Sequence, residues 1–241
     1  MNKDLIQSRF KKHLNEYNQN AVVQKIMAEK VVNLCSQKKY ENILELGCGT
    51  GFLTNLINQN LEFEKYTAID LIKECETYIK QINPIIEFRV SDIEEFEYDK
   101  YDLIISNAAL QWVNDFEQII NKIAAKLKPN GEFIFSTFGK ENFKEIYSIM
   151  GTGLNYYSES ELKALLPDMA ACNQEIYVKS FESPKDVLRH LQLTGVNALE
   201  NTPWTKKDLK AFENAYNNLC AVKPTLTYNP IYIKIINPTV G

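Results

Sequence analysis

Histidine is nearly absent from these 241 residues: only His13 and His190 occur. A zinc site, which draws on imidazole and thiolate ligands at short fixed spacings, is therefore not expected. The five cysteines, Cys35, Cys48, Cys75, Cys172 and Cys220, contain no C-x-x-C pair. An odd, unpatterned set argues against a disulfide framework and fits a reducing compartment. Excess positive charge is also missing. The net charge is -4, which gives no global attraction toward nucleic acid. No apolar run reaches membrane-spanning length, and the opening Met1-Asn2-Lys3-Asp4 leads into polar residues rather than a signal core. The absences predict a soluble cytoplasmic protein without a metal, nucleic-acid or membrane partner.

What is present suffices for a sizeable core, since 45% of residues are hydrophobic. The length suits one domain, or one domain with an inserted lid. Phe10, Leu14 and Tyr17 fall at helical spacing in a first helix over 1–20. Val23, Ile26, Met27, Val31 and Leu34 line one face of a second, so 1–35 reads as an N-terminal helical segment. The pattern then changes. Short apolar runs at 43–46, 66–70, 86–90, 103–106 and 132–138 read as buried strands. Helices are expected at 53–59, up to 81 after the second strand, and at 115–127, with Asp115 near a positive helix N-terminus. Pro129-Asn130-Gly131 reads as a turn. Strands alternating with helices predict a doubly wound α/β sheet, mostly parallel, over 40–138. Right-handed crossovers restrict its topology. Beyond 138 the alternation fails. Helices near 141–150, 158–166, 184–199 and 205–220 are broken by one strand-like run, 175–181. They are expected to form a lid over 139–225 before a last strand at 226–237.

Ligands of open α/β sheets bind outside the carboxyl ends of the strands, where the strand order reverses. The first strand ends in Glu45-Leu46-Gly47-Cys48-Gly49-Thr50-Gly51. Alternate glycines allow a sharp turn and close approach of a ligand. Phe52 stands where a G-x-G-x-x-G dinucleotide fingerprint needs its last glycine. Asp70 ends the second strand, where a carboxylate can accept hydrogen bonds from ribose hydroxyls. Asp92 follows the third strand. Each residue alone has a plainer account: Asp70 and Asp92 as helix caps, Glu45 as an exposed carboxylate, Cys48 as a small side chain packed under the loop.

In order, the elements resemble class I S-adenosylmethionine-dependent methyltransferases, whose first motif is E/D-x-G-x-G-x-G. That resemblance implies a seven-stranded sheet and a cofactor site formed by Glu45, Gly47, Cys48, Gly49, Gly51, Asp70, Leu71, Asp92, Ile93, Asn107 and Ala108. Asp92 would meet the adenine amine, and the backbone near Asn107 the methionine part. Further segments narrow the resemblance: Phe10 to Tyr17 with Ala21 and Gln24, Ser106 to Trp112, Leu127 to Gly131, Leu188 to Asn197 and Leu226 to Pro230. Together they resemble the malonyl-[acyl-carrier protein] O-methyltransferase family of biotin synthesis. Gly139 to Phe143 departs from that family's pattern. The resemblance implies methylation of the free carboxylate of a malonyl thioester on acyl carrier protein. A monomer is expected. Tyr17 and Arg189 are the catalytic candidates, and Gln111, Trp112, Arg189 and His190 the substrate-binding ones. A guanidinium offers a planar fork to a carboxylate, although Arg189 also reads as a surface charge, and Tyr17 and Trp112 as packing residues. The alternatives are a methyltransferase for another small carboxylic acid or a quinone precursor, and a silent cofactor-binding protein. Asn-Pro-Pro-Tyr, a motif of amino-methylating enzymes, is absent after the fourth strand.

Overall fold

The computed structural model describes residues 2–151, 153–166, 170–194, 204–220 and 222–238. Two helices open the chain. In α1 (Lys3–Asn20), Asn2 caps the first turn by accepting from Leu5 N, and Ile6 and Leu14 are buried. In α2 (Val22–Asn33), the buried face carries Val23, Gln24, Met27, Ala28, Val31 and Val32. Leu34, expected on that face, lies past the helix and is exposed.

The alternating part follows as β1 (Lys39–Leu46), α3 (Phe52–Asn60), β2 (Glu62–Asp70), α4 (Cys75–Ile82), β3 (Glu87–Val90), β4 (Tyr101–Asn107), a 3₁₀ turn (Leu110–Trp112), α5 (Phe116–Ala124) and β5 (Leu127–Phe138). Asp115 caps α5 by accepting from Gln118 N at 2.9 Å. The remainder is α6 (Lys144–Met150), α7 (Glu159–Leu165), β6 (Ala171–Gln174), β7 (Tyr177–Ser180), α8 (Pro184–Leu193), α9 (Lys206–Leu219), β8 (Thr225–Tyr228) and β9 (Pro230–Ile236). The part of the expected 184–199 helix beyond residue 194 lies outside the described residues.

The main sheet has seven strands in the order β3-β2-β1-β4-β5-β9-β6. The first five pair in parallel, and β9 runs antiparallel to both β5 and β6. Alternate strand residues feed two cores. Ile43, Leu103 and Ile105 pack on one face with Met27, Val31 and Ile57. Leu44 and Ile104 pack on the other with Phe116, Ile120 and Phe133. Burial on both faces is why these strands read as continuous apolar runs. Among the described residues, no helix is long and apolar enough to cross a membrane.

Two expectations need correcting. Pro129-Asn130-Gly131 lies within β5, where pairing jumps from Tyr101↔Leu127 to Leu103↔Glu132 and Asn130 takes φ +60. The turn residues therefore form an irregularity inside the strand rather than its boundary. The run at 226–236 is divided between two sheets, and the run at 175–181 holds β7 alone, with β6 before it outside the expected strand. β6 and β9 join the main sheet, while β7 and β8 make a separate antiparallel ribbon. The chain changes sheet at Asn229-Pro230, where proline has no N–H for a continuous ladder. Asn229 Nδ2 donates to Glu175 O at 2.9 Å, tying the two corners together.

Candidate active site

Strand order reverses at β1 and β4, and a cleft of about 1050 Å³, open solvent included, lies beyond their carboxyl ends. The turn after β1 forms its floor. Gly47 and Gly49 take φ +69 and +52, a region costly for side-chain-bearing residues. A Cβ on Gly47 would lie 2.4 Å from Ala109 Cβ, whereas one on Gly49 would project into open space. Gly51, also left-handed, leads into α3.

Asp70 anchors this turn. Gly49 N donates to its Oδ2 at 2.8 Å and Ile72 N to its Oδ1 at 2.9 Å. Burial pushes the Asp70 pKa up, against the backbone N–H groups that hold it down. Each oxygen retains acceptor capacity for a further donor. Leu71 and Ile93 line the same cleft. Asp92 lies there too, 2.5 Å from Lys3 Nζ and accepting from Glu94 N at 2.9 Å. Lys3 also pairs with Glu94.

Glu45 is not the exposed carboxylate considered above. It is 1% exposed, and its Oε2 accepts from Thr54 Oγ1 at 2.7 Å and from the Tyr66 hydroxyl. Burial pushes its pKa up to about 7. The side chain ties β1 to α3 and β2 beneath the glycine turn. Cys48 is buried, and burial followed by the Asp70 charge pushes its thiol well above the ordinary value. A protonated, enclosed thiol suits packing and not attack.

Beyond β4, Asn107 donates through Nδ2 to Gln24 O at 2.9 Å and accepts from Ser136 Oγ at 2.7 Å. Ala108 takes φ +51, a strained conformation for a non-glycine residue, at the point where the chain turns along the cleft. Over the opening lies α1, whose Ile6, Phe10, Leu14 and Tyr17 form one stripe of the wall. The Tyr17 ring stacks on Phe52 at 6.1 Å and lies 5.7 Å from Phe10. Burial, then the Asp70 charge, pushes its hydroxyl pKa up, so it stays a neutral donor near pH 7.

A smaller chamber of about 300 Å³, open solvent included, adjoins the cleft and shares Phe10, Tyr17, Ala108 and Trp112 with it. Gln24, Gln111, Phe138, Phe143, Tyr156 and Thr194 continue its wall, and among the described residues no charged side chain lines it. Gln111 Nε2 donates to Ala108 O at 2.7 Å. Trp112 meets Phe10 edge-on at 6.1 Å.

The structure does not bring Arg189 and His190 to either space. The buried face of α8 carries Pro184, Val187, His190 and Leu191, which turns Arg189 outward, where it is exposed. His190 is buried with its Nε2 2.6 Å from the Tyr228 hydroxyl. Burial and the Lys179 charge push its pKa down to about 4. Sequence reasoning singled out neither Phe143, Tyr156 nor Thr194 as wall residues. Gln24 stood out only within a resembling segment. The helical spacing of Ile6, Phe10, Leu14 and Tyr17 was a readable signal for the α1 wall, but Tyr156, between helices, left none.

The "Methyltransferase domain" family matches residues 15–169. The chain is 39% identical over 224 residues to a protein of Calditerrivibrio nitroreducens named malonyl-[acyl-carrier protein] O-methyltransferase, covering 90% of this chain and 89% of that one. A Chlorobium luteolum protein of the same name is 36% identical, covering 95% and 94%. Among solved structures, the N-methyltransferase NodS from Bradyrhizobium japonicum with S-adenosyl-L-homocysteine aligns at a TM-score of 0.58 and 14% identity, over 97% of this chain and 98% of that one. The YcgJ protein from Bacillus subtilis aligns at 0.61 and 13%, over 88% and 97%. At these identities the solved structures speak for the fold. The family match and the near full-length relatives go further: the chain belongs to the malonyl-[acyl-carrier protein] O-methyltransferases, within the methyltransferase domain family.

Proposed function

We propose that this chain transfers a methyl group from S-adenosylmethionine to the free carboxylate of a malonyl thioester on acyl carrier protein, an early step of biotin synthesis. The observation that carries this reading is the pairing, across Ala108 and Trp112, of an acid-lined cleft with a chamber whose described wall residues are uncharged. The cleft fits the cofactor: its glycine turn leaves open space above Gly49, and Asp70 keeps acceptor capacity. In this reading Gly47, Cys48, Gly49 and Gly51 hold the methionine side through their backbone, together with Asn107 and Ala108. Asp70 with Leu71 receives the ribose hydroxyls, and Asp92 with Ile93 the adenine. Glu45 braces the turn from below. The bound cofactor supplies an electrophilic methyl group on a positively charged sulfur.

The acceptor asks for no general base. A carboxyl group of ordinary pKa about 4 is already ionised at neutral pH. The protein's task is then to align the oxygen with the methyl group and to strip water from it. Alignment alone supplies roughly 7–11 kcal/mol in favourable intramolecular systems. Phe10, Tyr17 and Trp112 stand at the junction of the two spaces and would exclude water there. The helix α1, with the helices after β5, serves as the lid. Masking the carboxylate as its methyl ester would let fatty-acid synthesis enzymes extend the chain. The test is the mass of malonyl-loaded carrier protein after incubation with enzyme and S-adenosylmethionine. One added methyl is expected, and none on the acetyl-loaded form. An unmodified malonyl group, beside methylation of another small acid, overturns the reading.

A further inference from the structure

Gln24 holds a buried polar group with no role in binding the cofactor. It is 4% exposed, lines the chamber, and its Oε1 has no hydrogen-bond partner among the described residues. Buried amide atoms are rarely left unpaired, because desolvation without a partner is costly. No hydrogen bond to a described residue fixes which end of this amide faces the chamber, so the group is free to present its N–H2.

Tyr156, on the connection between α6 and α7, lines the same chamber. Its hydroxyl lies beside the Asn142 amide, and burial raises its pKa. Asn142 is itself 3% exposed. Its Oδ1 accepts from Asn229 N at 3.2 Å, which orients the amide and leaves Nδ2 buried without a hydrogen-bond partner among the described residues. Turned toward the neighbouring phenolic oxygen, that N–H2 would leave the Tyr156 O–H to donate into the chamber.

We infer that the Gln24 amide and the Tyr156 hydroxyl, with Asn142 as a positioning residue behind, form an uncharged receptor for the acceptor's carboxylate. The inference rests on the acceptor reading above and names the residues that select for a free carboxylate. Two neutral donors hold one carboxylate oxygen while the other faces the cleft across Ala108. A lone pair of that second oxygen forms the new O–CH3 bond as the S–CH3 bond breaks. The bonding pair goes to sulfur, leaving a neutral thioether and a methyl ester, and no proton moves. Negative charge on the carboxylate therefore disappears along the reaction. A fixed guanidinium would hold the charged ground state more tightly than the less charged transition state and so raise the barrier. Neutral donors orient the group with less of that penalty, which accounts for a chamber without a cation among its described wall residues.

The test compares Tyr156→Phe and Gln24→Met with the wild-type enzyme on a short malonyl thioester free of carrier protein. Each variant is expected to lose roughly 10- to 150-fold in kcat/KM, the scale of hydrogen bonds to a charged group. Calorimetric affinity for S-adenosylhomocysteine and inhibition by the matching acetyl thioester, which lacks the carboxylate, should stay within about threefold. Asn142→Asp keeps the oxygen for Asn229 N but removes the donor. It should lose malonyl activity, and the double variant with Tyr156→Phe should be little worse than either single one. Full malonyl activity in both Tyr156→Phe and Gln24→Met overturns the receptor, as do equal losses against malonyl thioester, acetyl thioester and cofactor. Should Gln24→Met fail to fold, the partly exposed Tyr156 decides alone. A wild-type enzyme inactive on the malonyl thioester overturns the acceptor reading itself, whereas an active wild type with active variants overturns only the receptor.

Discussion

The cleft and the chamber share four wall residues and little else. Lys3, Glu45, Asp70 and Asp92 put charge into the cleft, while the chamber is walled by aromatic rings, amides and hydroxyls. Their origins differ as well. The cleft is made where β1, β2 and β4 end, by short contiguous turns. The chamber is assembled from α1, α2, the exit of β4, the end of β5, the α6–α7 connection and the end of α8. The difference teaches how the two halves of the reaction are divided. A cationic cofactor is matched by carboxylates and backbone donors at strand ends. An anionic acceptor is matched by neutral donors in a space that excludes water.

The comparison can be broken most forcefully at the glycine turn. Gly47→Val places a branched side chain at φ +69, with its Cβ 2.4 Å from Ala109 Cβ. Strain and overpacking together should cost about 2–5 kcal/mol in urea unfolding, and calorimetry should find no binding of S-adenosylhomocysteine. Retained affinity would separate the turn from the cofactor. Next comes the buried carboxylate beneath it. The folded-state pKa of Glu45, about 7, lies above the ordinary 4.5. The folded protein thus holds a proton that the unfolded chain releases. Stability should fall as pH rises from about 4.5 to 7 and level off above that. The decline attributable to this group is on the order of 2–4 kcal/mol. Denaturation of Glu45→Gln across the same range should lack it, and parallel curves for the two proteins would remove Glu45 as the cause.

Asp70→Ala should weaken cofactor binding by about 1–3 kcal/mol without altering acetyl-thioester inhibition, so it marks the boundary between cleft and chamber. The smallest effect belongs to Arg189. Exposed on α8, Arg189→Ala should leave kcat/KM for the short malonyl thioester within about twofold. Any loss with the carrier-bound substrate should stay near 1 kcal/mol or less and fade with salt. A tenfold loss on the short substrate would return Arg189 to the site and break the contrast drawn here.

The cleft was legible because its determinants are local. Consecutive apolar residues in β1 and β4 stop at Gly47 and Asn107, Asp70 closes β2, and Asp115 begins α5 as its cap. The C-terminal corner was not. Leu226, Tyr228, Ile231 and Ile233 keep an apolar character on both sides of Asn229-Pro230, so one run conceals two strands in different sheets. The outward turn of Arg189 could have been read from Pro184, Val187 and Leu191, whose helical spacing marks the buried face and leaves 189 off it. Its position next to His190 within a resembling segment outweighed that spacing. Tyr156 and Asn142 lie outside regular elements or before a helix begins, and only tertiary packing against Asn229 and the chamber gives them a place.

The most direct measurement is a crystal structure of the dead-end complex with S-adenosylhomocysteine and a short malonyl thioester, in which no methyl group is available to transfer. The account predicts the nucleoside against Asp70 and Asp92, and the malonyl carboxylate in the side chamber within hydrogen-bond distance of Gln24 and Tyr156, with no lysine or arginine touching it. A carboxylate paired with Arg189, or with any other cation, would contradict it.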